Sequence, residues 1–215
     1  MMYVPPHFHE PDLKTLHDFI QRYSFGLLVS LVDGLPFATH LPLLLERESG
    51  EYGTLVGHTA RANPQCAAAK DQSVLAVFSG PHSYISPTWY EADNVVPTWN
   101  YVAVHAIGKL EIVEDQSNLS KIVRTVTDFY EKTMPKPWSF DETTTFAERL
   151  LTQIVGFRIV IEKLEGKWKL SQNHPVERQE KVVEALRNRG DENSQAISAM
   201  MHDRLVRTGT TSASE

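Results

Sequence analysis

Chemistry in this chain is concentrated in a few short blocks. Gly57-His58-Thr59-Ala60-Arg61-Ala62-Asn63-Pro64 sets an imidazole, a hydroxyl and a guanidinium just ahead of a capping asparagine and a first-turn proline. Such groups, beside the unpaired N–H groups of a helix start, are what a phosphate monoester requires. The block also has a plain structural reading, in which Asn63 caps the helix, Thr59 bonds backbone and Arg61 is a solvated surface charge. His40, in Ala38-Thr39-His40-Leu41-Pro42, ends an apolar strand where a polar ring needs a partner, from a ligand or from backbone.

Three further blocks are rich in rings. Ser79 to Tyr90 reads as a long loop dense in aromatics and prolines, a composition that marks a functional or interface loop. Val96-Pro97-Thr98-Trp99-Asn100-Tyr101 then enters a long strand, where planar rings could stack on a flat cofactor, fill a barrel end or form a dimer seam. Gly166-Lys167-Trp168-Lys169-Leu170-Ser171-Gln172-Asn173 follows the last expected strand as an anion-and-ring binding edge or an exposed lysine turn. His7-Phe8-His9 offers two imidazoles, but no second half with metal-ligand spacing follows, and no metal site is expected. The anchor motifs of nucleophile-elbow hydrolases, P-loops and Rossmann folds do not occur. Cys66, the only cysteine, sits in an alanine-rich stretch and reads as a small packed side chain. No catalytic acid or base is assigned.

The elements that must position these blocks can be read from local pattern. Leu13, Leu16 and Ile20 share a helical face after Pro11 and Asp12. Phe25–Leu31 and Pro36–Leu45 are β-rich runs joined across Asp33–Gly34, a dipeptide suited to a tight hairpin. Strands are expected over 53–57, 74–78, 99–113 and 156–164, and helices over 64–70, 119–130 and 144–153. In the run 99–113, the even positions Val102, Val104, Ala106, Gly108, Leu110 and Ile112 form one face, and Trp99, Tyr101, Ala103, His105 and Ile107 begin the other. Leu119, Ile122, Val123, Val126 and Phe129 recur at helical steps. Antiparallel strands with few intervening helices predict a mainly β (α+β) fold, a β-barrel with peripheral helices. Helices over 177–189 and 194–206 follow as a C-terminal extension packing on the barrel or on a partner. The expected organisation is a barrel domain over 1–174, a helical extension over 175–207 and a flexible tail over 208–215.

The 215 residues carry 21 Lys and Arg against 27 Asp and Glu, a formal charge of −6. That balance argues against a surface given over wholly to nucleic acid, while allowing a local basic face. Residues 162–189 hold seven Lys and Arg against five Glu, and no convincing helix-turn-helix is present. One cysteine excludes an intramolecular disulfide and suits a reducing compartment. The apolar stretches are too short to span a bilayer and the start lacks a secretion-signal pattern, so the cytoplasm is the expected location.

Taken together and in order, Met2-Tyr3-Val4-Pro5, Thr39-His40-Leu41-Pro42, the block from Gly57 to Pro64, Gly80 to Pro87, Val96 to Tyr101, and Lys167 to Asn173 resemble the PaiB family, FMN-binding negative transcriptional regulators of bacteria. The resemblance runs from Met2 to about Met201. It implies an antiparallel split β-barrel of the pyridoxamine-phosphate-oxidase type, a homodimer with FMN in clefts between subunits. It also implies a repressor role linked to sporulation and degradative-enzyme genes. Mapped onto matching positions, the flavin phosphate falls to His58, Thr59 and Arg61, with His40 on the neighbouring strand. The ring falls near Trp99, Asn100 and Tyr101, with Lys169, Ser171 and Gln172 approaching from the partner subunit. Related oxidases grip phosphate with more cations than this block offers, and FMN binding is expected to tighten as pH falls toward 6. Two other readings stay open: an FMN-dependent oxidoreductase, and a module sensing flavin or another planar ligand such as haem.

Overall fold

The computed structural model describes residues 1–211, with side chains through Arg207. A 3-10 turn at Pro6–Phe8 leads into β1 (His9–Glu10) and α1 (Leu13–Arg22). Asp12 caps α1, accepting from the Thr15 backbone N–H at 2.8 Å and its hydroxyl at 2.6 Å. β2 (Phe25–Val32) and β3 (Leu35–Pro42) form the expected hairpin, paired from Val32↔Leu35 to Phe25↔Pro42. Asp33 and Gly34 both have positive φ, 51° and 78°, the condition for a two-residue turn whose twist matches its strands. β4 (Leu44–Glu46), β5 (Thr54–Ala60), α2 (Pro64–Ala69), β6 (Ser73–Ile85) and β7 (Thr98–Val113) follow. After them come α3 (Gln116–Glu131), α4 (Thr145–Leu151), β8 (Ile154–Lys169), α5 (Val176–Arg187) and α6 (Glu192–Thr211).

The strands form one antiparallel sheet in the order β3-β2-β6-β7-β8-β5-β4, with β1 on β8. This is the predicted mainly β fold with peripheral helices. β6 and β8 run well past their expected limits. β6 continues through the presumed loop as far as Ile85, and a 3-10 turn over Pro87–Tyr90 completes that segment. Pro81 lies beyond the part of β6 that pairs with β2, which is Leu75, Ala76 and Val77, so its missing N–H removes no bond from that ladder. The buried positions of β6 also shift phase, from Val74, Ala76 and Phe78 to Pro81, Ser83 and Ile85. β8 likewise extends to Lys169, so Lys167 and Lys169 lie in the strand and not in a turn after it.

Contacts divide the chain into two compact units. The first comprises Met1, Asp12–Phe78 and Val104–Glu165. Its sheet curls until β3 approaches β5, and a Cβ on Gly57 would lie 3.0 Å from the Pro42 carbonyl. Leu28, Leu55, Phe78, Val104, Phe157 and Ile159 fill its interior. β7 keeps the predicted parity, with Val104, Ala106 and Leu110 wholly buried and His105 and Ile107 half-exposed. On another face, Ile122 and Val126 of α3 pack on Leu44 and Val56.

The second unit comprises Met2–Pro11, Ser79–Ala103 and the chain from Gly166 onward. Here Val182 and Leu186 of α5 are buried with Ile197 and Met201 of α6, and the Ser198 hydroxyl donates to the Val183 carbonyl at 2.8 Å. The expected C-terminal helices are thus present. α6 runs to Thr211, and the rest of the expected tail, residues 212–215, lies outside the described residues.

Candidate functional site

In the first unit, the block after β5 is held by a dense set of local bonds. Asn63 accepts from the Gln65 N–H at 2.9 Å and donates to the Thr39 hydroxyl at 3.0 Å, tying the start of α2 to β3. Gln65 is buried, and its amide nitrogen reaches the Leu28 carbonyl, the Ser30 hydroxyl and the Phe37 carbonyl at 3.0, 3.1 and 3.2 Å. The helix is therefore bolted to the β2–β3 hairpin. Sequence reading passed over Gln65, whose only signal is a polar side chain inside an otherwise alanine-rich apolar stretch.

Arg61 is exposed, and its guanidinium is fixed by two backbone carbonyls. Nε donates to Thr152 at 2.7 Å and Nη2 to Ile154 at 2.8 Å, while its own N–H reaches the Gln153 carbonyl at 2.8 Å. Of five guanidinium N–H groups, three remain for an anion. A 280 Å³ cleft lined by Phe146, Arg149, Leu150, Thr152 and Gln153 takes in two of these anchoring residues, Thr152 and Gln153.

His58 and Thr59, adjacent on β5, project to opposite faces of the strand, as do Thr39 and His40 on β3. His58 Nδ1 is buried with no hydrogen-bond partner among the described residues. Burial also pushes the His58 imidazole below its ordinary value, so it is neutral at pH 7. His40 is exposed, its ring 6.4 Å from that of Phe25. The neighbourhood thus gathers the four predicted residues on β3, β5 and the following turn without aiming all four one way. α2 has only six residues and Asn63 already occupies its Gln65 N–H, so positive charge here comes from guanidinium and not from a helix start.

In the second unit the ring-bearing residues fall into two groups. Asn100 has no exposed surface, and its amide nitrogen donates to the Ser171 hydroxyl at 3.0 Å and approaches the Met201 sulfur at 3.3 Å. Ser171, at φ 64°, is also buried, with the Tyr90 hydroxyl 3.3 Å away. Gln172 turns back on its own chain, accepting from the Leu170 N–H at 2.6 Å and donating to the Trp168 carbonyl. These three side chains direct their polar atoms inward and shape the chain reversal after β8. Trp99, 53% exposed, packs near His82 and Tyr84 at centroid distances of 6.2 and 5.8 Å. Tyr101 is half-exposed, and the Lys169 ammonium donates to the Thr98 hydroxyl at 2.7 Å and the Trp99 carbonyl at 2.6 Å. Burial, and then the neighbouring Lys167, push that ammonium below the usual lysine value.

A larger cleft of 390 Å³ in the first unit runs along α3, past Glu46, Val56, Thr125 and Arg158, and none of the ten predicted residues lines it. The chemistry of the donor set around Arg61 does fit a phosphate monoester. It supplies a fixed cation with free donors, a half-exposed threonine hydroxyl and a buried ring nitrogen in need of a partner.

Residues 2–163 match the family described as "Putative FMN-binding domain". The chain is 37% identical over 206 residues to the Protease synthase and sporulation protein PAI 2 of Bacillus subtilis, covering 95% of this chain and 98% of that one. It is 29% identical to an uncharacterised protein of Aspergillus fumigatus, covering 94% and 97%, so similar full-length chains occur in fungi as well as bacteria. Among solved structures, the flavocytochrome Anf3 of Azotobacter vinelandii superposes with a TM-score of 0.61 at 15% identity, over 77% of this chain and 72% of that one. With sequence match, order of motifs and fold in agreement, the chain belongs to the PaiB family of FMN-binding split-barrel proteins.

Proposed function

We propose that this protein binds FMN as a homodimer and acts as a negative transcriptional regulator of the PaiB type, with targets among sporulation and degradative-enzyme genes. The observation that carries the FMN reading is Arg61. Its guanidinium is immobilised by two carbonyls yet keeps donors free at the surface, which suits it to a phosphate dianion. Thr59, on β5 two residues before Arg61, supplies a further hydroxyl contact, with His40 on the adjacent strand. The flavin ring is read by Trp99, Tyr101 and Lys169 of the partner subunit, and Asn100, Ser171 and Gln172 hold the backbone beneath them. The full-length similarity to a sporulation protein supports the regulatory role.

Among the described residues no helix is long and apolar enough to cross a membrane, and the single cysteine fits a cytoplasmic protein. The direct test is the visible spectrum of purified protein titrated with FMN, followed by binding to a promoter fragment at several salt concentrations with and without FMN. A yellow, saturable complex and a steep salt dependence are expected. Saturating FMN without spectral or thermal-stability change refutes the cofactor reading. A second reading, an FMN-dependent oxidoreductase, draws on the exposed face of Trp99 beside Lys169, which leaves room for a second planar molecule. Turnover of bound flavin between a reductant and an acceptor, with no promoter binding, would favour it.

A further inference from the structure

β8 carries a second lysine outside the predicted set. Lys167 lies two residues before Lys169 and so on the same face of the strand, and it is 8% exposed. Its ammonium donates to the Tyr3 carbonyl at 2.9 Å and sits 5.6 Å from the Tyr3 ring centroid and 5.1 Å from that of Tyr101. Lys169 lies 5.7 Å from the Phe8 ring. β1 pairs with β8 at His9↔Lys167 and Glu10↔Gly166, and the segment it belongs to carries Tyr3 and Phe8 to the two lysines.

Among the described residues neither ammonium has a carboxylate within ion-pair distance. Like charges at neighbouring same-face positions oppose each other, and a buried cation is costly unless compensated. Ring faces and carbonyls compensate part of that cost. What they leave is a positive wall behind the half-exposed Tyr101 and exposed Trp99, which suits a flat ligand that bears or acquires negative charge.

Resting on the reading that Trp99 and Tyr101 meet the flavin ring, we propose that Lys167 is a positioning residue. It fixes Tyr101 and, with Lys169, makes the ring end of the site electropositive, so that the site holds reduced FMN more tightly than oxidised FMN. Two electrons from an added reductant such as dithionite and one proton from water convert the bound flavin to a form with one more negative charge. No bond to the protein forms or breaks, and nearby cations favour that form.

The test is the affinity of the purified dimer for oxidised and for reduced FMN, with the midpoint potential read against a reference dye. Lys167→Met is expected to lower the reduced-to-oxidised affinity ratio about tenfold, equivalent to roughly 30 mV for a two-electron couple, and Lys167→Arg to restore most of it. A merely structural role would weaken both affinities together and leave the ratio where it was, which overturns the proposal. Should Lys167→Met not fold, the wild-type protein decides: FMN harder to reduce when bound than when free also overturns it. Failure of the wild-type protein to bind FMN at all sinks the functional reading and this inference together, whereas bound FMN with an unchanged ratio sinks this inference alone.

Discussion

Replacing Arg61 gives the sharpest examination of the phosphate site. Nε and one Nη2 hydrogen are engaged by Thr152 and Ile154, so the outward donors are those that an FMN phosphate would use. A hydrogen bond to a charged group contributes about 1.5–3 kcal/mol, which predicts that Arg61→Ala weakens FMN binding roughly 10- to 150-fold. Arg61→Lys should recover little, because one ammonium cannot hold both carbonyls and still present a planar fork outward. Riboflavin is the control, since it keeps the ring system and lacks the phosphate. Flavin fluorescence quenching, titrated with FMN and riboflavin on wild-type and variant proteins, separates the two ends of the ligand. The expected pattern is a large loss for FMN, an unchanged riboflavin affinity and an FMN loss that shrinks with added salt. An equal loss for both ligands would show that Arg61 acts only by tying the turn to the segment before β8. No loss for either would remove it from the site.

Other outcomes follow from burial and packing. Burial holds His58, His105 and His174 below the ordinary histidine value. The unfolded chain therefore binds more protons as pH drops below about 6.5, and stability present above that pH should decline progressively toward pH 5, seen as a falling melting temperature. For the same reason, any tightening of FMN by protonated His58 should begin below pH 6.5, and His58→Gln should abolish it; a slope centred above pH 7 would contradict this. Gly108→Ala should cost at least about 3 kcal/mol or prevent folding, because the new Cβ would lie 2.1 Å from the Val160 carbonyl oxygen between β7 and β8; soluble yield and urea unfolding report it. Cys66 is buried and its thiol is pushed up to about 11 by burial, so a thiol reagent at pH 8 should react only after denaturant is added.

Features governed by neighbours along the chain were legible without coordinates. The Asp33–Gly34 turn, the Asp12 and Asn63 caps, the two faces of β7 and the amphipathic α3 each follow from a few consecutive side chains obeying one periodicity. The ordered motifs from Met2 to Asn173 were enough to point to the family. Tertiary structure decided matters that depend on what packs against each face. β6 continues through Pro81, past the end of its pairing with β2, and where that pairing ends depends on another strand. Asn100, Ser171 and Gln172 look like ligand groups in the string, yet their polar atoms are taken by Met201, Tyr90 and local backbone. Gln65 drew no notice in sequence, and Lys167 was read only as part of a basic block and not as a site residue, because what distinguishes them is their partners, Leu28 and Phe37 for one, Tyr3 and Tyr101 for the other. Periodicity tells which side chains share a face, since it is set by backbone geometry. It carries no record of the distant residue that meets that face, and a site is made of those meetings.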